Sequence, residues 1–142
     1  MDSELSASLN ELNTYGMNKV HHIGATKRTP EIVFDPVKGH LKIKGVSMPE
    51  NVDSFYAPIL KYIDRYLENP PKHSVIVFDL EYINSSSSQM LLAILYKMKN
   101  IVGEGYSVQV EWHYLQDDDD IYDTGKTFSE LTDLPFEFYE HN

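Results

Sequence analysis

A buried strand that runs directly into an amphipathic helix constrains this chain more than any other feature. Residues 75–83 are rich in β-branched and aromatic side chains and begin with a nearly unbroken apolar run. That pattern predicts a strand covered on both faces of a sheet. Beyond it, Met90, Leu91, Ile94, Leu95, Met98, Ile101 and Val102 recur at helical spacing, which predicts a helix with one apolar stripe. Between the two lie Asn84, Ser85, Ser86, Ser87 and Ser88. Asn and Ser cap helices because their side-chain oxygens accept from the free N–H groups of the first turn. A hydroxyl at that position also faces the positive end of the helix dipole, where a phosphate is favoured. Spacing alone favours plain capping over a phosphate site.

Helices and strands alternate around this unit. Residues 31–35 and 40–44 predict a hairpin closed by Pro36, Val37, Lys38 and Gly39, with residues 45–47 ending its second strand. Val52, Phe55, Tyr56, Ile59, Ile63, Tyr66 and Leu67 mark the next helix. Pro58 inside it predicts either a kink or a main helix that starts near Pro58. Gly103 reads as a left-handed cap on the central helix. Val108, Val110 and Trp112 alternate with Gln109, Glu111 and His113 as a strand with one buried face. An acidic loop follows at Asp117, Asp118, Asp119 and Asp120, then a weakly helical stretch to Leu131 and a last strand over residues 134–139. The expected order is β-β-α-β-α-β-(α)-β, an α/β mixed sheet with helices packed on it. Residues 1–22 read as a tail in which Leu5, Leu9 and Leu12 fit a short helix and a loose segment equally well, and residues 23–142 read as one domain.

Composition narrows the function. A net charge of −10 disfavours nucleic acid and anionic membrane surfaces as partners. The chain has no cysteine, which rules out thiol catalysis and zinc–thiolate sites and fits a cytoplasmic location. No apolar run reaches the length of a membrane helix, and the first residues lack a signal-peptide pattern. The consecutive aspartates lack the alternation of a calcium loop, and His21, His22, His113 and His141 lack metal-ligand spacing, so no metal site and no cofactor are expected. Tyr56, Tyr62, Tyr66, Tyr82 and Tyr106 read as core or rim. There is no Gly-rich phosphate loop and no histidine base for Ser85, so an enzyme is disfavoured.

Four stretches in register carry a resemblance. They are Thr26-Lys27-Arg28-Thr29-Pro30 leading into residues 31–35, residues 45–51 with Phe55-Tyr56, residues 80–88, and residues 110–114 with the acidic run behind them. Together they resemble the SiaC family of bacterial regulatory phosphoproteins. The resemblance implies a STAS-like fold and a cytoplasmic, non-enzymatic, partner-switching role. It implies a protein kinase that phosphorylates the hydroxyl after the strand-end Asn and a metal-dependent phosphatase that removes the phosphate. It further implies that the unphosphorylated form binds and activates a diguanylate cyclase, in cyclic di-GMP and biofilm control. The site carried over is Ser85, where a member of the family has Thr, with Ser86 and Ser87 as less favoured neighbours. Asn84, Ser85, Ser86, Ser87, Ser88 and Gln89 form the expected partner surface. The alternative is a small ligand- or metal-binding protein, or an enzyme, that uses the polar strand-end crevice and the acidic loop.

Overall fold

The computed structural model describes residues 17–142. The leucine pattern at Leu5, Leu9 and Leu12 lies outside them. Strands β1 (His21–Ile23), β2 (Glu31–Asp35) and β3 (His40–Ser47) come first. Then follow α1 (Val52–Tyr66), β4 (His73–Ile83), α2 (Ser85–Lys99), β5 (Ser107–Leu115), α3 (Asp119–Thr132) and β6 (Phe136–His141). This is a mixed α/β fold in which β1, absent from the expected order, adds a strand that begins inside the anticipated tail.

The six strands lie in the sheet in chain order, β1-β2-β3-β4-β5-β6. The pairs β1–β2 and β2–β3 are antiparallel, and every later pair is parallel. Each parallel step therefore needs a crossover helix, and a right-handed crossover made repeatedly in one direction puts every helix on the same face. Accordingly α1 packs against α2, and α2 against α3. The alternation of the strands follows. Ile32, Phe34, Leu41, Ile43, Ile76, Phe78, Val110 and Trp112 are buried in the single core under the helices. Lys42, Lys44, Asp79 and Glu111 lie on the opposite face, which carries no helix among the described residues. The expectation that β4 is covered on both faces is thus corrected. Val77 is nonetheless only 6% exposed, between the in-register rows of Lys42 and Glu111.

Several local expectations also change. The hairpin turn forms as read: Asp35 Oδ1 accepts from the N–H groups of Val37 and Lys38 at 3.1 Å each. Gly39 is needed there twice over, since its φ is +72° and a Cβ would meet His73 O at 2.7 Å. β3 does not end at Lys44 but runs on to Ser47 across a register shift at Gly45/Val46 that passes over Glu81. Helix α1 runs unbroken through Pro58 rather than restarting there. The bond lost is the one to the Ser54 carbonyl, on a half-exposed flank that water reaches. Gly103 is not the cap of α2. That helix closes at Asn100 in a right-handed conformation, and Gly103, at φ 110°, belongs to the turn beyond. Leu91, Ile94, Leu95 and Met98 fix α2 to the core, each burial contributing about 1.5–3 kcal/mol.

Candidate functional site

Helices α1, α2 and α3 all begin at one edge of the sheet, where the parallel strands end. Asn51, Asn84 and Asp118 are their N-caps, each accepting a backbone N–H with its side chain. Of the four aspartates expected to form a loop, Asp117 lies in a turn and Asp118 is the cap, while Asp119 and Asp120 begin α3. Asp118 Oδ1 accepts from Ile121 N at 3.0 Å, and Asp119 and Asp120 occupy the first turn, where negative charge offsets the helix dipole. Helix α1 likewise has Asp53 in its first turn. Helix α2 has no acidic residue there, and Lys97 and Lys99 sit in its last turn. Its positive end is therefore not neutralised by its own sequence.

Ile83 leads straight into that end. Asn84 is extended (φ −79°, ψ 167°), and its Oδ1 accepts from Ser87 N at 2.8 Å. The N–H groups of Ser85 and Ser86 precede the first possible intrahelical acceptor. The serine side chains divide by exposure. Ser85 and Ser86 are exposed, Ser88 is half-buried and Gln89 is exposed. Ser87, expected on the partner surface and as a secondary phosphate acceptor, is 0% exposed and points into the fold. It falls on the inward side because helical spacing aligns it with Leu91 and Ile94.

Beneath the turn is a buried hydroxyl cluster. Ser47 Oγ donates to Ser87 Oγ at 2.8 Å and lies 2.5 Å from Tyr56 OH. Burial pushes the Tyr56 phenol up to about 12, while its contacts with Ser47 and Ser87 pull the other way. Ser47 gives its single hydroxyl hydrogen to Ser87, which leaves Tyr56 as the donor to Ser47. The Ser47 carbonyl also accepts from Asn84 N at 3.0 Å. Sequence reasoning missed Ser47. The available signal was its parity: Leu41, Ile43 and Ser47 share one face of β3, so a Ser on that face must find a buried partner.

Two grooves open along the same edge, one at the start of α1 and one beside the α2 turn. One, of about 560 Å³, is lined by Lys27, Arg28, Pro49, Glu50 and Asn51. Its loop is held by Met48 N donating to Arg28 O at 2.8 Å and by Arg28 Nε donating to Met48 O at 3.2 Å. The other, of about 660 Å³, runs between Ser88 and the start of α3 and is acidic, with Glu81, Asp118, Asp120 and Asp123 on its walls. Tyr82, expected in the core or at its rim, lines this groove and is 52% exposed. Among the described residues no group of three or more His, Asp or Glu side chains is placed to hold a metal ion. No helix among them is long and apolar enough to cross a membrane. The fold does bring His113 and His141 together, with Nδ1 and Nε2 2.7 Å apart and the rings stacked, on β5 and β6.

The described residues thus form a mixed sheet with one helical layer that presents Ser85 and Ser86 at a helix N-terminus with no carboxylate of its own. The model of the SiaC family of regulatory phosphoproteins matches residues 23–141, and the chain belongs to that family. Its sequence is 27% identical to an uncharacterised protein of Pseudomonas aeruginosa (strain UCBPP-PA14), over 85% of this chain and 96% of that one. Among solved structures it resembles SiaC of Pseudomonas aeruginosa, with a TM-score of 0.77 at 27% identity over 87% of this chain and 99% of that one. It also matches a crystal structure of the diguanylate cyclase SiaD in complex with its activator SiaC, with a TM-score of 0.79 at 27% identity over 85% of this chain and 99% of the matched chain.

Proposed function

We propose that this chain is a non-enzymatic, STAS-like cytoplasmic switch in which Ser85 is phosphorylated by a protein kinase and cleared by a metal-dependent phosphatase. The unphosphorylated form binds and activates a diguanylate cyclase, raising cyclic di-GMP. The observation that carries this reading is the first turn of α2: Ser85 is exposed, it follows the cap Asn84, and the turn contains no carboxylate of its own. A phosphate there adds about −1.5 to −2 charges and meets the free N–H groups and the helix dipole, which favour it by about 0.3–1 kcal/mol. The modification is therefore compatible with the folded domain, and its effect falls on whatever docks across the turn. The neighbouring acidic groove already carries Asp118 and Asp120, so the phosphate deepens a negative field that a partner fitted to the neutral hydroxyl does not match. The part played by SiaC as activator of SiaD in Pseudomonas aeruginosa supports a cyclase as the target.

The test compares unphosphorylated, phosphorylated and Ser85→Ala proteins for affinity toward, and stimulation of, a diguanylate cyclase from the same cells. A penalty of about 3 kcal/mol on the docked complex corresponds to a loss of about 150-fold in affinity. Ser85→Ala is expected to bind and activate like the unmodified protein. Equal binding by the phosphorylated protein, at an unchanged melting temperature, removes the switch and leaves the serines as helix caps.

A further inference from the structure

We propose that Ser47, Tyr56 and Ser87 are positioning residues that clamp the first turn of α2 so that Ser85 is the hydroxyl presented; this rests on the phosphorylation reading above. The geometry is specific. Ser47 holds the chain on both sides of Ser85: its carbonyl accepts from Asn84 N at 3.0 Å, and its hydroxyl donates to Ser87 Oγ at 2.8 Å. Residues Ser85 and Ser86 are the short arc between these two anchored points. Tyr56 anchors Ser47 in turn, from helix α1, at 2.5 Å. Ser47, Tyr56 and Ser87 are each 0% exposed, so bulk water does not reach their hydroxyls, and Ser47 is the shared partner of the other two. One strand end and two helices are thus tied at this turn through hydroxyls, in addition to the apolar contacts that seat the body of α2. The same contacts withdraw Ser87 from any modifying enzyme, although it lies two residues from Ser85. Selectivity among Ser85, Ser86, Ser87 and Ser88 is in this way partly written into the substrate domain, and the kinase must read a folded turn.

An internal control exists. Tyr66 OH bonds Ser74 Oγ at 2.7 Å, also buried, at the far end of α1 and the start of β4. Tyr66→Phe removes a comparable tyrosine–serine bond without touching the α2 turn. The experiment prepares Ser47→Ala, Tyr56→Phe and Tyr66→Phe, and measures melting, hydrogen exchange of the bonded amides of Asn84, Ser87 and Ser88, and the phosphoserine map of each protein recovered from its own cells. In Ser47→Ala and Tyr56→Phe the first-turn amides are expected to exchange about ten-fold faster. The Ser85 share of phosphate should fall, with phosphate appearing on Ser86 or Ser88. Tyr66→Phe should lower the melting temperature similarly but leave both readouts at wild-type values. The clamp is refuted if Tyr66→Phe loosens the turn as much as Tyr56→Phe, or if neither Ser47→Ala nor Tyr56→Phe alters exchange. Should Ser47→Ala fail to fold, Tyr56→Phe, which keeps the ring, decides. A wild-type protein that carries no phosphate on any of these serines overturns the modification reading, while the exchange contrast still judges the clamp.

Discussion

Gly125→Ala sets two opposing effects against each other. In an exposed helix interior, Gly to Ala stabilises by about 1 kcal/mol. Gly125, however, is buried where α3 crosses Trp112, and a Cβ there would meet three indole atoms at 2.5 to 2.6 Å. That is about 1 Å inside normal carbon contact. The indole has no room to yield. Its centroid lies 5.2 Å from that of Phe78 and 5.6 Å from that of Phe128, and its Nε1 donates to Ile121 O at 2.9 Å. Overpacking of this kind costs about 1–3 kcal/mol, and losing the indole bond adds about 1 kcal/mol. Against the gain in propensity, the net is a destabilisation of about 1–3 kcal/mol. For a domain of this size that lowers Tm by roughly 3–9 °C. Urea unfolding followed by the fluorescence of Trp112, the single tryptophan, reads both stability and the indole environment. Gly24→Ala, with nothing within 4 Å of its added Cβ, is the control and should stay within about 0.5 kcal/mol of wild type. If Gly125→Ala matches wild type in stability with unshifted Trp112 emission, then α3 is not seated on the indole as described.

Asn84→Ala removes the side-chain acceptor for Ser87 N and should cost about 1 kcal/mol by chemical denaturation. A phosphate on Ser85 should recover part of that loss by meeting the same orphan donors, so equal destabilisation of both forms would count against the helix terminus as the phosphate's seat. The Tyr56 phenol is raised from its ordinary 10.0 to about 12. Its folded value exceeds its unfolded one, so the stabilisation it carries is complete below pH 10 and is lost as pH rises through 12. Melting temperature against pH should fall across that window, and Tyr56→Phe should flatten part of the fall.

Much of the fold was legible because patterning and packing agreed. β2 falls on residues 31–35 as read, and α2 buries Leu91, Leu95 and Met98 as its spacing required. The start of α2 was legible because Asn84 and the serines are strong cap formers. The errors have identifiable causes. Consecutive aspartates read as a loop because propensity penalises Asp in helix interiors, whereas at an N-terminus the same charge is favourable. Pro58 suggested a break, but a single lost bond on a wet flank is outweighed by the burial of Phe55, Tyr56, Ile59 and Ile63 on the other side. Exposure was the least legible part of the site. Four adjacent serines look alike in sequence, and only the phase of the helix, fixed by tertiary packing, separates Ser87 from Ser85.

The coincidence of sheet order with chain order has a consequence for how the protein is made. Every strand pairs with the one that precedes it, so each parallel strand and its crossover helix add to an edge that already exists. Such connections keep contacting residues about one βα unit apart, which favours rapid folding, and they suit a chain that emerges from the ribosome N-terminus first. The turn that presents Ser85 is assembled from the end of β3, from α1, from β4 and from the start of α2. None of those contacts waits for β5, α3 or β6. During synthesis, the serine turn can therefore be in place while the last third of the chain is still being added.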